Sequence, residues 1–151
     1  MKLSYSLALA AASIALSLPA GAQSAFAKPE DAVKYRQSAL TVMGTHFARL
    51  QGMASGRVPY DAKVAVENAE VVALVSRLPW AGFVAGTEKL SPKTKPEIWS
   101  EPAKFKDHSE RLQAETAKLL VAARTNNLDN LKTAFGTTAA SCKACHDNFR
   151  N

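Results

Sequence analysis

The sequence has few cysteines and few histidines, and this scarcity excludes several classes of protein. Its 151 residues contain two cysteines and three histidines. Two cysteines cannot build the disulfide framework that holds many small secreted domains together. Beyond the N-terminal segment, no apolar run approaches the roughly 20 residues that a membrane-spanning helix needs. We therefore predict one small soluble globular domain with no membrane span.

The sequence also lacks a cluster of basic residues or of acidic residues. The formal net charge is +6, and the basic residues are dispersed along the sequence. A nucleic-acid-binding domain would show a basic patch or stripe, so nucleic acid is not an expected partner. The moderate excess of positive charge suits an acidic redox partner or simply solubility.

The N-terminal segment has the layout of a secretory signal peptide. One basic residue, Lys2, precedes the apolar run "LALAAASIALSL", and Pro19 and small residues follow. This order is typical of a cleaved export signal. We predict a signal peptide over residues 1–27, with cleavage after Ala22 or Ala27, and an exported mature domain over residues 28–151.

Two helices are predicted from the apolar period in the first half of that domain. The segment "KPEDAVKYRQSALTVMGTHFARL" begins with proline and two acids, which favour a helix start, and repeats apolar residues at helical spacing. The segment "YDAKVAVENAEVVALVSRL" places Val64, Val71, Val75 and Leu78 on one face and ends before Pro79. Its valine content would suit a strand, but its length and spacing favour a helix.

A long segment without apolar period follows the second predicted helix. Residues 79–101, "PWAGFVAGTEKLSPKTKPEIWSE", are rich in proline and glycine. A loop of this length inside a small domain is usually functional. Its aromatic residues, Trp80, Phe83 and Trp99, indicate that it packs over the domain.

Two further helices complete the predicted fold. Ser100 is predicted to cap the third helix, "AKFKDHSERLQAETAKLLVAA". The fourth spans about residues 128–150, and the members of its apolar stripe are Leu131, Phe135, Ala139, Cys142, His146 and Phe149. We predict an all-α fold, an antiparallel four-helix bundle with a long loop between helices 2 and 3.

Both cysteines lie in the last eleven residues, "SCKACHDNFRN". Cys142, Cys145 and His146 have the spacing i, i+3, i+4, so their side chains leave the same face of the fourth helix. A Cys-x-x-Cys-His sequence is the attachment motif of c-type haem, in which the thiols form thioether bonds and the imidazole binds iron. We predict one covalent haem c, with His146 as the iron ligand.

Two thiols and an imidazole could also serve three roles without haem, and each fits the sequence less well. A disulfide between Cys142 and Cys145 would close only a very small loop within a helix. A thioredoxin-like redox pair needs a βαβ context, which a helical chain lacks. A zinc site would need a further ligand, and only His46 or His108 could supply it.

The motif lies late in the chain, unlike that of small electron-carrying cytochromes c, in which a methionine far downstream supplies the sixth ligand. After His146 the chain reads "DNFRN", with no methionine, histidine or lysine. The sequence resembles the cytochrome c′ family of bacterial periplasms over about residues 28–151. The resemblance rests on "KPEDAVKYRQSALTVM", "LPWAGF", "KPEIW" and "AFGTTAASCKACHDNFR" in this order.

The resemblance implies a five-coordinate, high-spin iron whose open side is covered by a residue of the first helix, four positions after an arginine. Here that pair is Arg36 and Leu40. Arg36 is then expected to bind a haem propionate, with Gln37 beside it. Leu40 offers iron no lone pair, which implies retained nitric oxide binding, hindered carbon monoxide binding and weak or absent oxygen binding.

The resemblance also implies roles for residues outside the first helix. Trp80 and Phe83 would flank the haem, and Arg150 would lie near its proximal side. Phe149 stands where the family usually has an aromatic residue with a hydroxyl. A homodimer formed through the first helix is expected from the family alone.

Simpler roles stay open for several of these residues. Leu40 could be an ordinary core leucine, and Arg36 could extend its charged end to water. Met43, one turn after Leu40, could be core or a sixth iron ligand; the second case would favour electron transfer to a small periplasmic redox partner. Because no second catalytic group is evident, we predict a binding protein and not an enzyme.

Overall fold

The computed structural model describes residues 25–151. It shows four long helices, and two short helical turns lie between the second and the third of them. The elements are α1 Pro29–Ala54, α2 Ala62–Val75, α3 Glu97–Ser100, α4 Pro102–Ala123 and α5 Leu128–Phe149, with a 3₁₀ turn at Pro79–Gly82. The predicted all-α four-helix bundle is confirmed. The predicted signal peptide lies outside the described residues, except for residues 25–27.

Short turns make neighbouring helices antiparallel. Gly56 (φ +73°) follows α1, and Asn126 (φ +53°) follows α4; both adopt the left-handed conformation that ends a helix. Asn127 then caps α5, because its side chain accepts hydrogen bonds from the backbone N–H groups of Asp129 and Asn130 at 2.9 and 3.1 Å. α1 therefore packs on α2, and α4 packs on α5.

The inner face of α2 differs from the valine stripe that the sequence predicts. Val64 and Leu78 of that stripe are exposed by 39% and 40%. The buried residues are instead Ala65, Asn68, Ala69, Val72 and Val75. Two alanines on the inner face allow close approach of the neighbouring helices, so the bulkier apolar side chains are left outside.

The segment between α2 and α4 is more structured than a featureless loop. It begins with the 3₁₀ turn and contains α3 near its end. The prediction that Ser100 caps the next helix is wrong, since Ser100 ends α3 and donates its N–H to the carbonyl of Pro96 at 3.2 Å. Glu101 stands at the start of α4 and makes no side-chain capping bond.

The apolar core fills the space among all four long helices. Leu50, Leu119 and Leu131 have no exposed surface, and each stabilises the fold by about 2 kcal/mol through burial. None of the helices in residues 25–151 is both long and apolar enough to cross a bilayer.

Candidate functional site

A cavity of about 660 Å³ opens within the bundle, and all four long helices and the segment after α2 contribute to its wall. This volume lies in the range that small-molecule and cofactor sites occupy. A smaller hollow of about 480 Å³ at the α1–α2 turn is lined by Arg49, Arg57, Asp61 and mostly apolar residues, and no thiol or imidazole lines it.

The larger cavity brings together every residue that the sequence predicts for the site. They are Arg36, Gln37, Leu40, Trp80, Phe83, Cys142, Cys145, His146 and Arg150. These residues come from α1, from the 3₁₀ turn and the residue after it, and from the C-terminal end of α5. The fold therefore collects residues that are more than 100 positions apart in the chain into one wall.

The last two turns of α5 present the motif to the cavity. Cys142 and Cys145 are both free thiols and are partly buried. Burial raises the pKa of Cys145 to about 11, and the nearby Cys142 adds to this effect. Burial also raises the pKa of Cys142, although a hydrogen bond from Ser141 opposes the change. Lys143 and Asp147 pair on the outer face, so the helix separates its charged side from its thiol side.

The imidazole of His146 lines the cavity, and its pKa lies below the ordinary value. Its pKa is lowered first by desolvation at the cavity wall and then by the positive charge of Arg150, while Asp147 acts in the opposite direction. A neutral imidazole keeps a lone pair that a metal can accept. The donor set of two thiols and one imidazole thus fits the covalent haem that the motif predicts.

The C-terminal residues are tied to the segment after α2. Thr94 and Arg150 form an isolated antiparallel bridge. Lys95 donates its backbone N–H to the carbonyl of Phe149 at 3.0 Å, and Asn151 donates its own to Lys93 at 3.2 Å. These bonds fix the backbone of Arg150 at the rim of the cavity, where its side chain is exposed.

Arg36 is almost completely buried, with 1% of its surface exposed. Its Nη1 donates to the carbonyl of Gly82 at 2.8 Å and to the hydroxyl of Thr87 at 2.7 Å. Its Nη2 is buried and has no hydrogen-bond partner. An unpaired buried guanidinium nitrogen is costly, and a carboxylate entering the cavity would satisfy it. A haem propionate fits this requirement, whereas a side chain extending to water does not.

The α1 wall beyond Arg36 is apolar. Leu40 is half-buried and lines the cavity, and Met43 and Phe47 follow on the same face. Phe47 stacks on Phe135 of α5 with ring centroids 4.4 Å apart. Leu40 therefore presents hydrocarbon to the cavity while it also contacts the core.

Aromatic side chains build the remaining wall. Trp80 donates its indole N–H to the carbonyl of Ser76 at 2.7 Å, which fixes its ring. Phe83 packs edge-on against Phe105 with centroids 4.9 Å apart, and Phe105 meets Phe149 at 5.2 Å. The aromatic cluster encloses the cavity on the side of α4 and the loop.

Several residues that line the cavity or hold its wall are not recognisable as site residues from the sequence. Phe105 lines the cavity, but in the sequence it is one apolar residue in the period of the third predicted helix, and this period distinguishes no cavity residue from a core residue. Thr87 and Gly82 hold Arg36, but they lie in the segment without period. No sequence signal identifies either of them.

The alternatives to haem find no support from the remaining histidines. His46 shares a hydrogen bond of 2.9 Å with the amide oxygen of Asn68, and His108 packs edge-on against Phe149 at 5.5 Å. Within residues 25–151, no three His, Cys, Asp or Glu side chains meet in a group able to hold a metal ion. Within the described residues, Cys142 and Cys145 are free thiols and form no disulfide.

Comparison with known proteins agrees with this architecture. The family model described as Cytochrome C′ matches residues 31–150. A cytochrome c′ of Alcaligenes xylosoxydans xylosoxydans is 52% identical over 125 residues, which cover 83% of this chain and 97% of that protein. The solved structure of cytochrome c′ from Rubrivivax gelatinosus has a TM-score of 0.80 at 43% identity and covers 83% of this chain and 99% of that one.

A further solved structure is a nitric oxide complex of a leucine-to-alanine mutant of cytochrome c prime from Alcaligenes xylosoxidans. It has a TM-score of 0.78 at 51% identity, and the match covers 83% of this chain and 98% of that one. The similarity thus extends over nearly the whole described bundle and includes the helices that carry the thiols and Arg36. On these grounds the chain belongs to the cytochrome c′ family, and its cofactor is a covalently attached haem c.

Proposed function

We propose that the protein binds nitric oxide at a five-coordinate haem iron held by His146. The observation that carries the proposal is the cavity in which the motif of α5 and the hydrocarbon of Leu40 meet. In this proposal Cys142 and Cys145 hold the haem through thioether bonds, and His146 donates its lone pair to iron. Bound haem c supplies an iron that binds small diatomic gases and changes between the ferric and ferrous states.

Leu40 sets the selectivity of the open side. Its side chain has neither a lone pair for iron nor a hydrogen-bond donor, so it cannot stabilise bound oxygen. Its branched end crowds any ligand that approaches from α1. Nitric oxide depends least on a hydrogen-bond donor near iron, so we expect it to bind. Crowding should slow the binding of carbon monoxide, and oxygen should bind weakly or not at all without a donor.

The nitric oxide complex of the Alcaligenes xylosoxidans relative supports this ligand for the present chain. Two routes to iron are compatible with the cavity. Nitric oxide could bind beside Leu40, or it could displace His146 and reach iron near Arg150, whose charge lies on that side. Crowding by Leu40 favours the second route.

The remaining cavity residues hold the cofactor. The unpaired Nη2 of Arg36 would bind a haem propionate, and Gln37 lies beside it at the exposed edge. Trp80 and Phe83 would flank the macrocycle with their aromatic rings. These contacts would orient the cofactor but would not take part in turnover, so we propose a binding protein and not an enzyme.

The proposal includes a periplasmic location after removal of residues 1–27 or 1–22, since cytochromes of this type are matured outside the cytoplasm. It also includes a homodimer formed through α1. Val42 of α1 is 44% exposed, which leaves an apolar position on that surface.

A gas titration of the ferrous protein tests the proposal. Nitric oxide, carbon monoxide and oxygen are added separately, and binding is followed by visible absorption. We expect saturable nitric oxide binding, slower carbon monoxide binding and no stable oxygen adduct. A spectrum that nitric oxide leaves unchanged would refute the gas-binding function.

Electron transfer is the second candidate function, and Met43 is the observation that favours it. Its side chain is only 8% exposed, lines the cavity and lies one turn after Leu40. Coordination of iron by its sulfur would close the open side and suit an electron carrier with a small acidic redox partner. Gas binding without displacement of a sulfur ligand would exclude this alternative.

A further inference from the structure

Arg36 is enclosed by one short stretch of chain, residues 82–88. The carbonyl of Gly82 and the hydroxyl of Thr87 accept both hydrogens of Nη1. The ring of Phe83 lies 4.5 Å from the guanidinium carbon. Burial lowers the pKa of Arg36, and the negative charge of Glu88 opposes this change. Residues 82–88 therefore supply two hydrogen-bond acceptors to Nη1 and an aromatic ring to one face of the guanidinium.

The hydroxyl of Thr87 has a fixed direction. It donates its only hydrogen to the carbonyl of Val84 at 2.7 Å, so its lone pairs are left to accept from Arg36 at 2.7 Å. Thr87 has no exposed surface, and water cannot replace it as an acceptor. The carbonyl of Val84 also accepts the indole N–H of Trp99 at 3.3 Å, which ties this turn to α3.

Gly82 brings the second acceptor close to α1. A Cβ atom on Gly82 would lie 2.6 Å from the carbonyl oxygen of Ala32 and 2.8 Å from Cβ of Arg36. Only a residue without a side chain permits this approach. Two acceptors on Nη1 fix the plane of the guanidinium, since its five N–H groups have a rigid planar arrangement. Nη2 is then the nitrogen that remains for another partner.

We infer that Thr87 is a positioning residue that orients Arg36 toward a carboxylate of the haem. The inference rests on the proposed contact between Arg36 and a haem propionate, and it adds a residue outside the helices to that contact. A correctly aimed guanidinium favours the ionised form of the carboxylate and lowers its pKa. Loss of the hydroxyl frees the guanidinium to rotate, so the carboxylate titrates at higher pH.

The test is the reduction potential of the haem protein measured as a function of pH. The variants are Thr87→Val, which keeps the shape and removes the hydroxyl, and Thr87→Ala, which avoids added bulk. In the plot of reduction potential against pH, the carboxylate titration gives an inflection at its pKa. We expect both variants to move this inflection upward by about 0.5 to 1 pH unit. Thr87→Ser should restore the wild-type inflection because it keeps the oxygen.

A matched control is Thr138→Val. The hydroxyl of Thr138 is also fully buried, donates to the carbonyl of Ala134 at 2.9 Å and lies outside the lining of the cavity. Its replacement should leave the inflection in place. If the Thr87 variants move the inflection no further than Thr138→Val, the Thr87 hydroxyl supports the fold only and the inference is wrong, even where the variants unfold more easily.

Arg36→Lys separates this inference from the function on which it rests. If Arg36→Lys shifts the inflection and the Thr87 variants do not, the positioning role fails and the propionate contact stands. If Arg36→Lys also leaves the inflection unchanged, the propionate contact fails and the role of Thr87 fails with it. A shift in all of these variants, reversed in Thr87→Ser, supports both.

Discussion

The wall of the cavity formed by α1 and the wall formed by α5 differ in what they offer a cofactor. The α5 wall carries two thiols, the imidazole of His146 and the guanidinium of Arg150. The α1 wall carries the hydrocarbon of Leu40 and Phe47, and its one charge, on Arg36, is directed to the loop. A cofactor held through α5 would therefore have one side occupied by ligands and one side covered by hydrocarbon.

The two walls are also fixed in different ways by the same long segment. Gly82 and Thr87 hold the α1 wall through Arg36. Lys93 and Lys95 hold the α5 wall through backbone hydrogen bonds to Asn151 and Phe149 at the C-terminus. The segment between α2 and α4 thus positions both walls, which explains why a domain of this size retains a long irregular connection.

The largest expected effect comes from removing the covalent links on α5. In Cys142→Ser combined with Cys145→Ser, no thioether bond can form, and we expect complete loss of covalent haem. Acid–acetone extraction, followed by absorption of the organic phase, measures this loss. Ser141→Ala is the control, since Ser141 is buried beside the thiols and its hydroxyl donates to the carbonyl of Thr138. Haem that stays with the double-variant protein would contradict the assignment.

The next largest effect concerns crowding on the α1 wall. Leu40→Ala removes the branched side chain, and relief of about 1.4 to 2.7 kcal/mol of steric cost should speed carbon monoxide binding by about 10- to 100-fold. Flash photolysis or stopped-flow mixing measures the rate. Leu74→Ala removes an apolar side chain that is 66% exposed on α2 and should leave the rate unaltered. A Leu40→Ala rate equal to wild type would remove the steric argument.

A smaller effect is expected from the close packing of the loop on α1. Gly82→Ala places a Cβ 2.6 Å from the carbonyl oxygen of Ala32, so we expect a loss of about 2 kcal/mol in the free energy of unfolding. Gly136→Ala on α5 meets no atom within 4 Å and should instead stabilise the helix by about 0.5 to 1 kcal/mol. Denaturant titration compares the two variants. Equal stability would show that the loop tolerates displacement from α1.

The smallest effect is expected from Met43→Leu. This change conserves volume and removes the sulfur, so the free energy of unfolding should fall by less than about 1.5 kcal/mol. The visible bands of the ferric and ferrous forms should stay as in wild type. A change from sharp to broad bands would instead identify Met43 as an iron ligand and favour electron transfer.

The sequence predicts those features that depend on regular spacing. The positions of Cys142, Cys145 and His146 follow from the helical period once the last helix is recognised, and they line one cavity as expected. The pairing of Arg36 with Leu40 on one face follows from the same rule. The resemblance to the family supplied the expectation that this face borders the cofactor.

Other features depend on contacts that no local pattern encodes. Thr87 bonds to a residue 51 positions away, and its segment has no period. In α2 the apolar period contains two overlapping stripes, and the alanines lie inside because small residues allow closer packing. Ser100 has the composition of a helix cap, but tertiary packing recruits it into α3. In each of these cases, contacts with residues far away in the sequence select one conformation among several that the local sequence permits equally.

The central claim is that iron bound through α5 keeps an open side beneath Leu40. The visible absorption spectrum of the ferrous protein, matured in a periplasm and measured before and after addition of nitric oxide, tests it most directly. We predict a broad high-spin spectrum that changes when the gas is added. Sharp, split bands that nitric oxide leaves unaltered would show a sixth protein ligand and would contradict the claim.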